Sequence, residues 1–215
     1  MQIYTNSLAT IVIMLFLTST TQAELHDREN GMIYDDVQNI TWLQDANLPA
    51  SEQFGISTIV DDGSRHSLNG YGIRMDEKHV GRMNWQTALD WIKAMNASNE
   101  GKGYKGFNDW RLWTVPDAAE SCYGKNCTDS ELSNLYKTLK SKKDFSILNI
   151  TSTDFNLFKH IQSAGYWSGV SYSHMNSSAW TFYISDGRQV RNHKDSSQLY
   201  VWAVRSGDIK LPASE

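Results

Sequence analysis

Residues 179–190 read AWTFYISDGRQV, and this stretch indicates most clearly how the chain folds. Trp180, Phe182 and Ile184 recur at every second position, which is the period of a strand with one buried face. The Asp-Gly dipeptide that follows supplies the positive φ angles that a tight turn needs. We therefore predict a β-hairpin whose turn is Ser185-Asp186-Gly187-Arg188.

Further strands are predicted on both sides of this hairpin. Upstream, Tyr166-Trp167-Ser168-Gly169 has the character of a short strand, and downstream Leu199–Arg205 reads as a buried strand. Near the beginning of the chain, two short strands are predicted around Met32 to Tyr34 and Ile40 to Trp42. Residues 48–83 show no sustained periodicity, so we expect a long loop there.

Two helices are predicted between the early and the late strands. Asn84 precedes WQTALDWIKAMNA, in which apolar residues recur at helical steps, and Asn is a preferred N-cap residue. A second helix is predicted to begin at Thr128, since Thr128-Asp129-Ser130-Glu131 matches a capping box. Strands at both ends with helices between them predict an α+β fold, with two helices packed on a small, mostly antiparallel sheet.

The first 23 residues have the pattern of a signal peptide. They carry no charged side chain, and their apolar run is followed by small residues and a Thr-x-Ala ending that fits a cleavage site. We expect Glu24 to begin the mature chain, with an uncleaved anchor as the alternative because Lys and Arg are missing from the first residues. Residues 24–215 then form a single domain, with its core over about 25–208.

Composition and charge narrow the class of protein further. Eight tryptophans and 12% aromatic residues exclude a disordered chain, and a net charge of −4 without a basic stripe argues against nucleic-acid binding. Cys122 and Cys127 lie close together, as expected of a disulfide in an oxidising compartment, and a metal pair is the alternative interpretation. After signal cleavage we expect no stable membrane insertion and a periplasmic or secreted location.

In the order of its motifs, the sequence resembles the Lcl C-terminal domain family, a group of bacterial domains. The resemblance runs from about Leu25 to Asp208 and rests on these segments: GMIYDDVQNITWLQDAN, MNWQTALDWI, GFNDWRLWT, SELSNLY, YWSG, AWTFYISDGRQV and YVWAVRSGD. It implies a C-type-lectin-like fold with paired terminal strands, and an association with adhesion and glycan binding. One departure is Trp113, because family members commonly have Pro there. Asp109 looks structural in this motif, with Arg111 as its expected partner.

Catalytic and metal-binding patterns are sparse. The six histidines show no HExxH spacing, and neither a G-x-S-x-G elbow nor a P-loop is present. An oxidase related to the formylglycine-generating enzymes is a less favoured alternative, since Cys122 and Cys127 do not match the placement of its reactive cysteines. No cofactor is expected. Calcium is kept as an alternative through Asp61-Asp62, Asp76-Glu77 and Asn108-Asp109.

A metal-free binding surface is the favoured interpretation. Residues 167–193 contain aromatic and basic side chains in what are expected to be loops between the last strands, and such groups stack on sugars and pair with acidic ones. The candidate ligand-binding residues are Tyr172, His174, Arg188, Arg191 and His193, whereas Trp167 and Trp180 are expected in the core. We predict an exported, non-enzymatic module that recognises a glycan or a surface protein. A structural subunit of a cell-envelope assembly is the alternative.

Overall fold

The computed structural model describes residues 24–60, 70–116, 121–141 and 157–209. The predicted signal peptide, residues 1–23, lies outside the described residues, as do Asp61 and Asp62 of the calcium alternative.

The described residues form eleven strands, two α-helices and one short 3₁₀ helix at Leu48–Ala50. The helices are α1 (Trp85–Ala97) and α2 (Glu131–Ser141). The strands are β1 (Leu25–Asp27), β2 (Met32–Asp35), β3 (Ile40–Leu43), β4 (Thr58–Ile59), β5 (Ile73–Arg74), β6 (Arg111–Leu112), β7 (Gly124–Lys125), β8 (Gly165–Ser171), β9 (Ser178–Tyr183), β10 (Arg188–His193) and β11 (Ala203–Ser206).

The α+β class is confirmed, although the strands form two antiparallel sheets rather than one. The first sheet has the order β1-β2-β3-β11-β6 and the second the order β7-β10-β9-β8. A small parallel pair, β4 with β5, orders part of the segment that was predicted to be a long loop. The first and last strands share a sheet, but β11 pairs with β3 and β6 instead of β1.

The hairpin predicted from residues 179–190 is confirmed as β9 and β10. Tyr183 lies opposite Arg188 in the register, and Gly187 in the turn has φ +71°. Any side chain at Gly187 would collide with the ring of Tyr136, because an added Cβ lies 2.6 Å from Cε1. Glycine is therefore required here both for the turn and for packing against α2.

Both predicted helices are present, but α2 begins later than predicted. Asn84 caps α1 by accepting a hydrogen bond from the Thr87 N–H at 2.8 Å. In α2, Ser130 and Ser133 exchange side-chain hydrogen bonds with each other's backbone N–H at 3.1 and 3.2 Å, so Ser130 occupies the cap position. The capping box at Thr128 was wrong because Glu131 instead bonds to Arg111.

A single aromatic core connects the sheets and the helices. Trp42, Trp167 and Trp202 are 0% exposed and Trp180 is 1% exposed, which confirms the prediction that Trp167 and Trp180 are core residues. The predicted strand Leu199–Arg205 is regular only from Ala203. Its earlier residues make isolated bridges to Met83 on one side and Tyr166 on the other, so this segment joins the two sheets.

Candidate functional site

Aromatic side chains form a continuous row on one face of the second sheet. The ring of Trp180 in β9 lies 5.1 Å from that of Tyr172 and 6.1 Å from that of Tyr123, measured between centroids. The ring of His174 follows at 5.6 Å from Tyr172. With Arg191 and Met175, these residues make up what we call the aromatic platform: Tyr123, Tyr172, His174, Met175, Trp180 and Arg191.

The aromatic platform has a buried tryptophan at its centre and exposed side chains around it. Trp180 is buried, whereas Tyr123 is 57% exposed and Met175 is 41% exposed. Large apolar side chains are usually covered in a folded protein, and exposed ones that cluster with aromatic and basic groups often mark a binding surface. The platform therefore exposes Tyr123, His174, Met175 and Arg191 around a buried tryptophan.

Backbone hydrogen bonds hold the loop that carries half of the platform. The loop runs between β8 and β9, and the Tyr172 N–H donates to the Ser178 carbonyl at 2.9 Å. The Met175 N–H donates to the Tyr172 carbonyl at 3.1 Å, so the chain turns tightly around His174. Tyr172 and His174 are consequently fixed by the loop itself.

The other edge of the platform is held by the disulfide between Cys122 and Cys127, which is present as predicted. Tyr123 lies inside the disulfide loop, directly before β7, which pairs with β10. The buried Gln189 side chain donates to the Cys122 carbonyl at 2.8 Å and ties this loop to β10. The disulfide thereby sets the position of Tyr123.

Arg191 contacts an aromatic ring and a sulfur atom rather than a carboxylate. Its guanidinium lies 5.3 Å above the Tyr172 ring, and Nη1 lies 3.1 Å from the Met175 sulfur. Most other arginines of the described chain form ion pairs with carboxylates: Arg28, Arg74, Arg111, Arg188 and Arg205. Within the described residues Arg191 has no such partner. Its side chain is exposed. Stacking on Tyr172, and not an ion pair with a carboxylate of the described residues, orients its N–H donors.

Three of the five candidate ligand-binding residues come together, and two do not. Tyr172, His174 and Arg191 belong to the platform. Arg188 projects from the opposite face of β10, where it pairs with Asp186 at 2.7 Å and stacks on Tyr183. His193 shares the face of Arg191 but lies at the end of the strand, where its ring accepts from the Asp195 N–H at 3.4 Å.

The expectation that all five residues lie in loops was wrong, because Arg188, Arg191 and His193 lie in β10. Sequence reasoning also missed Tyr123 and Met175. An aromatic residue between two cysteines in a polar loop was a usable signal for Tyr123, since the loop is too small to bury it. For Met175 the sequence offered no comparable signal.

Two of the carboxylates considered for calcium, Asp76 and Asp109, are already engaged with cations, whereas Glu77 is exposed and has no ion pair within the described residues. Asp76 bonds to Arg74 and to His79, whose Nδ1 lies 2.6 Å away, and these contacts hold the pKa of Asp76 below its usual range against the opposing effect of burial. Asp109 pairs with Arg205 at 2.9 Å, and Arg111 pairs with Glu131 at 2.7 Å. The predicted Asp109–Arg111 pair was therefore wrong.

Two cavities lie away from the platform. One, of about 380 Å³, lies between α2 and the β9–β10 turn and is lined by Tyr136, Lys137 and Lys140 among others. The other, of about 370 Å³, contains Lys105 and Lys159 together with Asp45 and Glu52. Burial, and then the neighbouring charge of Lys159, lower the pKa of Lys105. This second cavity is of mixed charge.

These features define an α+β domain with two antiparallel sheets, a local disulfide and an exposed aromatic platform. No helix in the described part of the chain has the length and apolar character needed to cross a membrane. The sequence model of the Lcl C-terminal domain matches residues 31–205, and the chain belongs to that family. No curated protein matches the chain.

Proposed function

We propose that this protein is an exported, non-enzymatic recognition module that binds a glycan on the aromatic platform. The observation that carries the proposal is Arg191, an exposed guanidinium stacked on Tyr172 with no carboxylate partner in the described residues. An exposed guanidinium without a carboxylate partner suits a ligand that supplies an anion.

The chemistry of the platform matches an acidic sugar. The exposed ring of Tyr123 can pack against the C–H face of a sugar, and an arginine can bond in bidentate fashion to a carboxylate or sulfate. His174 adds a polar group at the edge that can donate or accept a hydrogen bond. A surface of this kind needs neither a metal nor a catalytic residue.

Export and a C-type-lectin-like fold are part of the same proposal. The signal-peptide pattern of residues 1–23 supports export, and the disulfide is compatible with an oxidising compartment. Two helices beside antiparallel sheets, with the first and last strands in one sheet, are compatible with the lectin-like fold that the family resemblance implies.

A glycan array tests this function directly. The mature protein is applied to neutral, carboxylated and sulfated oligosaccharides, and the best-bound probe is then measured in solution at several salt concentrations. We expect the acidic probes to be preferred and their binding to weaken as salt rises, because screening affects an exposed ion pair. Absence of binding to every probe at low salt would contradict the proposal.

Arg188 provides a matched control for Arg191, since it lies in the same strand on the opposite face. Arg191→Gln is expected to weaken binding at least about tenfold, as the loss of a charged hydrogen bond implies. Tyr172→Ala should weaken it as well, whereas Arg188→Gln should leave it unchanged. Equal losses in both arginine variants would rule out the platform. Capture of one stoichiometric envelope protein without glycan binding would favour a structural subunit.

A further inference from the structure

The second of the two cavities, of about 370 Å³, is lined by charged side chains of both signs, and we call it the charged cavity. Its cations are Lys105 and Lys159, and its anions are Asp45 and Glu52. Within the described residues, neither lysine forms an ion pair with a carboxylate. Opposite charges therefore line one cavity without neutralising each other.

Lys105 lies in a turn beside a glycine that leaves room for its side chain. Its backbone has φ +56°, and its Cε and Nζ lie only 3.4 Å from the position that a Cβ at Gly31 would take. The ammonium group contacts the neutral Asn30 Oδ1 at 3.4 Å and lies 5.1 Å from the centre of the Tyr104 ring. These contacts hold the lysine in place and leave its charge available to a ligand.

Lys159 is held beside the same cavity by its backbone. Its N–H donates to the Gln44 carbonyl at 2.7 Å, and its carbonyl accepts from the Ala46 N–H at 2.9 Å. The two ammonium groups are close enough that the charge of Lys159 adds to the larger effect of burial in lowering the pKa of Lys105. Two neighbouring cations of this kind favour an anionic group between them.

The two carboxylates of the charged cavity differ in their availability. Asp45 is already engaged, because its Oδ2 lies 3.0 Å from His160 Nδ1. The exposed side chain of Glu52 has no ion pair or hydrogen bond among the described residues, although its backbone carbonyl accepts from Trp91 Nε1 at 2.7 Å. Burial, and then the charges of Glu52 and Asp45, raise the pKa of Tyr104. The carboxylates thus act on the tyrosine side of the cavity.

A ligand that carries both charges suits this arrangement best. A simple anion would be repelled by the carboxylates, and a simple cation by the lysines. We propose that the charged cavity binds a small zwitterion, of which a free α-amino acid is the simplest form. Glu52 accepts hydrogen bonds from its ammonium group, and Lys105 and Lys159 donate to its carboxylate. This site goes beyond the proposed glycan recognition and does not depend on it.

The remaining walls of the charged cavity indicate which amino acids it takes. Leu43 and Leu48 contribute apolar side chains, and Tyr104 contributes a partly buried ring. The volume lies within the range of small-molecule sites, about 300–1,000 Å³. We therefore expect apolar amino acids to bind more tightly than charged ones.

Calorimetric titration of the chain over residues 24–215 tests the proposal. The probes are leucine, phenylalanine, glutamate and lysine as free amino acids, with N-acetyl-leucine and leucinamide as analogues that each carry a single charge. We expect leucine or phenylalanine to bind, and each analogue to bind at least about tenfold more weakly than leucine, because one charged contact is lost. No binding of any free amino acid at about 10 mM, or equal affinity for the analogues, would overturn the proposal.

Variants of the exposed charges assign the two ends of the ligand. Glu52→Gln and Lys159→Gln should each weaken leucine binding at least about tenfold, whereas the controls Glu77→Gln and Lys102→Gln, at exposed residues outside the cavity, should leave it unchanged. In Glu52→Gln, N-acetyl-leucine should bind no more weakly than leucine, since the group that distinguishes them is gone.

Unchanged leucine affinity in both cavity variants, or equal losses in the controls, would contradict the assignment. Glycan binding is measured separately on the same variants. It is expected to remain intact, because the charged cavity borders the first sheet and the aromatic platform lies on the second.

Discussion

Glu131 illustrates how much one side chain contributes to this molecule. Its carboxylate accepts two hydrogen bonds from Arg111, at 2.8 and 2.7 Å, and a third from the Thr114 N–H at 2.7 Å. It therefore joins the first turn of α2 to the strand β6 and to the loop after it. The arrangement is partly buried, so the ion pair is more than a surface contact.

Neutralising this carboxylate should destabilise the protein. Glu131→Gln keeps the shape but removes the charge that binds Arg111, and we expect the free energy of unfolding to fall by about 1–2 kcal/mol. Urea denaturation measures the change. Glu77→Gln is the control, since Glu77 is exposed and forms no ion pair within the described residues. A loss no larger than in the control would contradict this role.

Asp35 differs from Glu131 because the charge of its carboxylate is expected to destabilise the fold. It is the last residue of β2 and is 1% exposed, and burial raises its pKa despite hydrogen bonds from Gln38. Because the folded-state pKa lies above the unfolded one, stability falls as pH rises from about 4 through the raised pKa. Asp35→Asn removes this dependence. The difference in unfolding free energy, variant minus unmodified protein, should be larger at pH 7 than at pH 4, and an equal or smaller difference would refute it.

At the residue scale, local spacing predicted some side-chain roles and missed others. The Asn84 cap and the disulfide depend on neighbours in sequence, and both were predicted correctly. Asp109 and Arg111 looked like a pair because they are close in sequence. Their partners, Arg205 and Glu131, are separated from them by 96 and 20 positions, and only the fold brings these together.

At the scale of elements, the disulfide loop and β7 form a small unit attached to the edge of the second sheet. Because Cys122 and Cys127 are five positions apart, the bond constrains only a short segment. It contributes at most about 2–3 kcal/mol on the chain-entropy estimate for a loop of this size. Its main effect is to hold β7 and Tyr123 in place.

Removing the disulfide should loosen this unit and leave the rest of the fold intact. In Cys122→Ala/Cys127→Ala, we expect amide exchange at Gly124 and Lys125 to accelerate, while exchange in β3 stays unchanged. Hydrogen exchange followed by mass spectrometry or NMR measures both. If exchange accelerates equally in both sheets, the disulfide supports the whole fold and the expectation is wrong.

The elements also explain why the candidate site was predicted only in part. Alternation of side chains along a strand puts residues two apart on one face and residues three apart on opposite faces. Arg188 and Arg191 are three apart in β10 and so diverge, which a reading of this region as loops did not anticipate. Both faces of β9 are buried, and hydrophobic period still predicted this strand because its large apolar residues, Trp180 and Phe182, fall on one face and the smaller Ala179 and Thr181 on the other.

At the scale of the whole molecule, an ion pair joins the beginning and the end of the described domain. Arg28 contacts Asp208 through two hydrogen bonds of 2.8 and 2.9 Å. The hydrogen bond from Arg28 is the main cause that lowers the pKa of Asp208. A lowered pKa means that the carboxylate stabilises the fold above its unfolded-state pKa, and that this stabilisation is lost as pH falls.

Asp208→Asn should therefore destabilise the protein at neutral pH and not in acid. Both side chains are partly exposed, so we expect a loss of about 0.5–1 kcal/mol at pH 7 and low salt. The unfolding free energies of variant and unmodified protein should converge near pH 3. Chemical denaturation at both pH values measures this, and a difference that persists in acid would argue against the ion pair.

The contact between Arg28 and Asp208 also bears on how evolution can reuse the domain. A domain whose first and last described residues lie close together can be inserted into a surface loop of another protein without separating the two ends of that loop. The same proximity favours circular permutation, in which a short linker joins the two ends of the domain and new chain ends are made in an exposed loop. The Arg28–Asp208 contact lies beside the first sheet and the aromatic platform lies on the second, so a join at the former leaves the latter uncovered.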